Sequence, residues 1–173
     1  MALPYNSSNP AISKDKLNEK EIISKSIINL IKKDIKPSDI ITKKSIENAV
    51  RLITLLGGST NAVLHILAIC KTANIDFNID DFQKISEETP FLANLKPSGK
   101  YLMEDLHNIG GIPSVMKFML QNNMLHNDCM TVTGKTIEEN LKNVESLNFD
   151  QDIIRSLDNP IKSSGHIRIL YGN

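Results

Sequence analysis

The chain has 173 residues, 40% of them apolar and 23% charged, with 20 basic and 20 acidic side chains in formal balance. That length and apolar content suit one domain with a core of its own. The zero net charge, 5% aromatic content and absence of Trp exclude a basic stripe or stacking platform for nucleic acid, and no apolar run is long enough to read as a membrane span.

Met1–Pro10 lacks the basic region and apolar core of a signal peptide, and Cys70 and Cys129 are too few for a disulfide scaffold. A reducing compartment is expected: the cytoplasm, or an organelle matrix if a leader is missing. Residues 1 to about 13 are polar with two prolines and are expected to be looped or extended. From Asp15 to Ile35, apolar residues recur at three- and four-residue steps with lysines between, which predicts an amphipathic surface helix. Pro37-Ser38-Asp39 breaks it. A second helix is expected from about 43 to 56, capped by Thr42 and ended by Gly57-Gly58. A third, from about 60 to 73, is apolar on nearly every side, the pattern of a helix buried between other layers.

Asn78, Asp80 and Asp81 predict the start of a short helix that Pro90 ends. Residues 94–101 read as a loop, and 103–107 as a helical turn closed by Gly110-Gly111. Pro113 suits the first position of the next helix, which carries Val115, Met116, Phe118, Met119 and Leu120. Residues 129–133 read as a short strand. Thr136 and Glu139 form a capping-box pattern for a helix near 137–147. Residues 166–171 read as a second strand. The expected fold is mainly α with one or two short strands.

Chemistry is sparse. Gly57-Gly58-Ser59-Thr60-Asn61 is a small, hydroxyl-rich turn opening onto the third helix. Its glycines remove bulk, Ser59 or Thr60 can cap, and the free N–H groups there suit an anion or carbonyl oxygen. The plainer reading is a turn that ends one helix and caps the next. Gly134-Lys135-Thr136 resembles the end of a phosphate-binding loop, but that pattern needs a glycine where Cys129 stands. His65, His107, His126 and His166 are scattered, Glu104 and Asp105 diverge on a helix, and two cysteines cannot hold a cluster alone. Lys96, Ser98 and Lys100 around Gly99 can hold a carboxylate or phosphate, or form a solvated turn.

Three segments in order, Leu56–His65, Leu95–His107 and Asp128–Thr136, resemble dihydroxy-acid dehydratase, of the family shared with phosphogluconate and sugar-acid dehydratases. The Gly-Gly-Ser-Thr-Asn and Thr-Val-Thr-Gly-Lys-Thr segments resemble the family at large. Lys96–His107 favours the dihydroxy-acid branch over the sugar-acid one. The resemblance implies a piece of an α/β N-terminal domain over residues 1–160, with 161–173 starting a C-terminal domain, and a middle piece of a longer enzyme. It implies elimination of water from a 2,3-dihydroxy carboxylate to give an enol that becomes a 2-oxo acid. An iron–sulfur cluster would act as Lewis acid on the 3-hydroxyl and Mg2+ would hold the carboxylate side.

The family's Cys-Asp-Lys cluster motif is not found here, since Asp128-Cys129-Met130 does not match it, so no catalytic residue and no metal ligand carries over. Ser59, Thr60, Asn61, Lys96 and Ser98 are the expected contacts at the substrate-cavity wall. The chain alone is expected to bind no cofactor and to lack turnover. The family implies a homodimer, and a split enzyme would instead need complementing dehydratase fragments. A helical scaffold or interaction module without the chemistry is the reading from another class.

Overall fold

A computed structural model describes Asn9 and residues 14–172, and the side chains of Asp15, Leu17 and Asn18 lie outside that description. The looped stretch expected before residue 13 is, Asn9 apart, also outside it. Eight helices order the described residues: α1 Lys14–Lys32, α2 Pro37–Ile40, α3 Lys43–Leu56, α4 Asn61–Thr72, α5 Ile79–Glu88, α6 Met103–Asn108, α7 Gly111–Gln121 and α8 Ile137–Leu141. They fall into two compact units. One contains the described residues up to Thr42 with Leu102–Asn148, the other Lys43–Tyr101 with the described residues from Phe149 onward.

One stop device recurs in both units. After α1, α3, α4 and α7 a single residue turns left-handed: Asp34, Gly57, Asn74 and Asn123, with φ of 52, 72, 53 and 55°. The following N–H then reaches back to a carbonyl of the last turn, as in Gly58 N–H to Ile53 O at 2.9 Å and Met124 N–H to Met119 O at 2.9 Å. Only glycine adopts this conformation without a steric penalty, and Asn and Asp tolerate it best among the rest.

In the second unit α3, α4 and α5 pack on one another around Val50, Leu55, Cys70 and Phe82, all fully buried. The extended segment Phe91–Leu95 runs beneath them through bridges Phe91–Lys162, Ala93–Ile154 and Leu95–Tyr101. Residues 166–171, expected as a strand, instead lie extended along α5 together with Gly165. Gly165 N–H donates to Ser86 O at 2.7 Å, Ser86 Oγ to Ile167 O at 2.9 Å, and Ile169 N–H to Gln83 Oε1 at 2.8 Å.

In the first unit Cys129, Ile137 and Leu141 form a core with Met116, Leu120 and Val144. The expected strand at 129–133 takes the form of one antiparallel bridge, Met130–Thr136. Helix α8 stops at Leu141, short of 147, and Lys117 Nζ satisfies its end by donating to Leu141 O at 2.9 Å. Helix α7 begins two residues before Pro113, at Gly111.

Two faces depart from expectation. Among the described side chains of α1, Ile27, Ile28 and Ile31 point outward, Ile31 being 74% exposed, while Glu19 is buried and is bonded by Lys16 at 3.0 Å and Asn9 at 2.8 Å. Helix α4, read as buried on all sides, hides Val63, Ile66 and Cys70 but leaves Leu64 70% exposed.

Candidate functional site

The Gly57–Asn61 turn is built from three directions. The α3 stop brings Gly57 to φ 72°, and a Cβ there would lie 2.5 Å from Cε2 of the buried Phe91 ring. At Gly58 a Cβ would meet Ile53 Cγ2 at 2.7 Å, so both glycines answer close approach. His166, from the far end of the chain, donates from Nε2 to Gly58 O at 2.6 Å while its ring packs on Phe91 at 5.3 Å between centroids.

Of the two expected caps, Ser59 acts and Thr60 does not. Ser59 Oγ accepts from Asn61 N–H at 3.2 Å, whereas Thr60 has helical φ and ψ of −58 and −24° and makes no side-chain cap. Ala62 N–H donates to Ser59 O at 3.0 Å and Val63 N–H to Thr60 O at 3.1 Å. The first N–H groups of α4 are therefore engaged within the turn. What the turn presents outward is side chains: Ser59, Thr60 and Asn61 are all exposed.

Lys96 and Ser98 are exposed on a second, tightly folded loop. Lys96 N–H donates to Tyr101 O and Gly99 N–H to Leu95 O, both at 2.7 Å, and Asn94 O accepts from Lys100 and Tyr101 at 3.1 and 3.0 Å. A Cβ on Gly99 would sit 2.3 Å from the Asn94 carbonyl carbon, and the Lys96-Pro97 peptide is cis. Lys100 lies over the Tyr101 ring at 5.0 Å. Both candidate groups thus hang from one buried segment: Phe91 seats the turn, and Leu95 anchors the loop about 13 Å further along, at the usual rise per residue. No hydrogen bond or ion pair joins the two groups among the described residues.

The 131–136 segment is engaged throughout. Thr136 N–H donates to Glu139 Oε2 at 2.7 Å, Glu139 N–H to Thr136 Oγ1 at 3.2 Å, Ile137 N–H to Cys129 O and Gly134 N–H to Thr131 O, both at 3.0 Å. Asn140 ties Thr131, Thr133 and Thr136 together. The bonds from Thr136 hold the Glu139 carboxyl below the usual glutamate range. The hydroxyls are thus spent on local bonds, and Lys135 is the exposed cation of the segment. A groove of about 270 Å³ between α3 and α5 is lined by Lys43, Glu47, Arg51, Asp81, Lys84, Ile85 and Glu88, whose three cations and three anions give no net charge for an anion.

The donor set does not fit an iron–sulfur cluster or Mg2+. Among the described residues no three His, Cys, Asp or Glu side chains gather. Cys70 is fully buried in α4, where burial pushes its thiol up, and Cys129 sits among aliphatic side chains. Sequence reasoning missed Phe91 and His166. Neither stands in a motif, and the separation of 108 positions between His166 and Gly58 leaves no local signal.

Three relatives match the whole of this chain: dihydroxy-acid dehydratases from Lactococcus lactis subsp. cremoris strain SK11 (57% identical), Flavobacterium psychrophilum (56%) and Francisella tularensis subsp. novicida (57%). The chain spans 30 to 31% of their length. Residues 1–140 match the family model for the dihydroxy-acid/6-phosphogluconate dehydratase N-terminal region, which covers both turns and the loop between them. The chain belongs to the dihydroxy-acid/6-phosphogluconate dehydratase family.

Proposed function

We propose that this chain is part of an enzyme that dehydrates 2,3-dihydroxy-3-methyl carboxylates to 2-oxo acids in valine and isoleucine biosynthesis, in the cytoplasm. The observation that carries this is identity of 57% along the entire chain with a protein named dihydroxy-acid dehydratase. The family description also covers 6-phosphogluconate, but the relatives above carry the dihydroxy-acid name, which supports that branch.

The contribution of these residues is to the cavity wall. Ser59, Thr60 and Asn61 offer hydroxyl and amide groups, and Lys96 and Ser98 offer a cation and a hydroxyl, the donors a carboxylate and two hydroxyls require. Residues 1–160 would close the N-terminal domain, with 161–173 leading into the next. The cluster, Mg2+ and the base for the C2 proton would come from other parts of the enzyme, because the donor set here does not hold them. The isolated chain is therefore inactive, and activity requires the rest of the polypeptide, in one chain or as complementing fragments, in a homodimer.

Incubating purified chain with 2,3-dihydroxy-3-methylbutanoate and following 2-oxo acid tests this directly. No turnover and no stoichiometric iron or acid-labile sulfide are expected. Turnover by the chain alone would overturn the assignment of the reactive groups to other parts of the enzyme.

A further inference from the structure

We propose that His166 is a positioning residue for the Gly57–Asn61 turn, acting through one fixed ring tautomer; its value to the reaction rests on the reading that this turn borders the substrate cavity. A carbonyl oxygen only accepts, so the 2.6 Å contact with Gly58 O requires the hydrogen on Nε2. The other ring nitrogen, Nδ1, is buried and meets no protein partner. Moving the hydrogen to Nδ1 would strand a buried donor and leave two acceptors facing each other, so both nitrogens select the same form.

The ring is itself held. It packs on Phe91 at an interplanar angle of 39°, and Phe91 occupies the space a side chain on Gly57 would need. The backbone before it is pinned where Gly165 donates to Ser86 O at 2.7 Å, with no room for a Cβ against Ser86. A rigid donor therefore fixes the carbonyl immediately before Ser59. The orientation of Ser59, Thr60 and Asn61 follows from that carbonyl, since Ser59 Oγ and the Ser59 and Thr60 carbonyls take the first N–H groups of α4. The bond His166 makes here is to the Gly58 carbonyl and to none of those three side chains, so it acts through the backbone.

The test uses the 173-residue chain. Nitrogen-15 NMR of the His166 ring should show a protonated Nε2 and an unprotonated Nδ1, and the reverse pattern would overturn the proposal. Amide hydrogen exchange is then compared in wild type, His166→Phe and His166→Gln, with the α7 amides as reference. His166→Phe keeps a ring on Phe91 but removes the donor, and should speed exchange at Asn61, Ala62 and Val63 about fivefold, the factor of one net hydrogen bond. His166→Gln retains a donor and should restore the rates to within about twofold. Equal rates in all three proteins, or equal loosening in both variants, would show that packing alone holds the turn. Should His166→Phe fail to fold, the tautomer measured in wild type still decides. Failure of the cavity reading would appear instead as unchanged catalysis on substituting Ser59 in a complete dehydratase that carries this segment, with these exchange rates unaffected.

Discussion

The molecule contains two glycine-and-hydroxyl turns that open onto helices, and their side chains are disposed differently. At 131–136 every hydroxyl is taken up locally: Thr131 and Thr133 bond to Asn140 and Thr136 caps α8, which is only five residues long. At 57–61 the turn is held from beneath by Phe91 and His166, and its side chains remain outside. The lesson is that such a motif gives the capacity to bind and the disposition of its side chains decides what it can offer. Both turns are bonded within themselves and held from outside, 131–136 by Asn29 and 57–61 by His166; they differ in that the hydroxyls of the first are spent on local bonds while the side chains of the second are exposed.

The comparison can be broken first at the glycines. Gly57→Ala should cost about 3 kcal/mol, combining left-handed strain with a clash against a buried aromatic ring. Gly134→Ala carries the same strain at φ 71°, but its nearest neighbour is the Asn29 amide at 2.9 Å, the end of a side chain that can shift. About 1–2 kcal/mol is expected there, and urea melts of the two variants measure the difference. Equal losses would remove the distinction between the two supports.

The caps provide the next test. Thr136→Ala should cost about 1 kcal/mol because it deletes one arm of a reciprocal box, whereas Thr60→Ala, with no cap to lose, should stay within about 0.5 kcal/mol. Acid titration sharpens the same point. The Glu139 carboxyl is held below its ordinary value in the folded chain, so its contribution is complete above the unfolded pKa and is lost as pH falls through the folded one. The Thr136 amide resonance should therefore move in the acid range below the usual glutamate pKa, with no matching step at Asn61. The smallest effect on stability is expected on the outer face of α4. Leu64→Gln should change the melt by less than about 0.5 kcal/mol while lowering self-association in light scattering, because Leu64 and Ile69 are exposed apolar side chains.

Much of the helical frame was legible because its signals are local. Helix α3 ends at Gly57, and α5 starts at Asn78, whose Oδ1 accepts from Asp80 and Asp81 at 2.8 and 3.2 Å, as the sequence pattern predicts. The parts that were not legible depend on distant groups. The end of α8 is met by Lys117 on another helix, and the segment 165–171 is bonded by Ser86 and Gln83 on α5. The outward face of α1 could not be read from periodicity, which finds an apolar stripe but not what covers it. For the same reason Ser59, Thr60 and Asn61 were visible as candidates, while Phe91 and His166, which hold them, were not. Residues near in space and far in sequence leave no spacing to read.

The central claim is that the 57–61 turn serves the reaction and the 131–136 turn serves the fold. The direct measurement replaces the matching segment of the Lactococcus lactis dehydratase with this chain and compares kcat/KM for 2,3-dihydroxy-3-methylbutanoate in Ser59→Ala and Thr136→Ala versions. The account predicts an active chimera that loses about tenfold or more with Ser59→Ala at little change in melting, the loss of one bond to substrate. It predicts the reverse for Thr136→Ala, a lowered melting temperature with kcat/KM nearly unchanged in the folded protein. A folded, cofactor-loaded chimera whose kcat/KM is indifferent to Ser59 would contradict it.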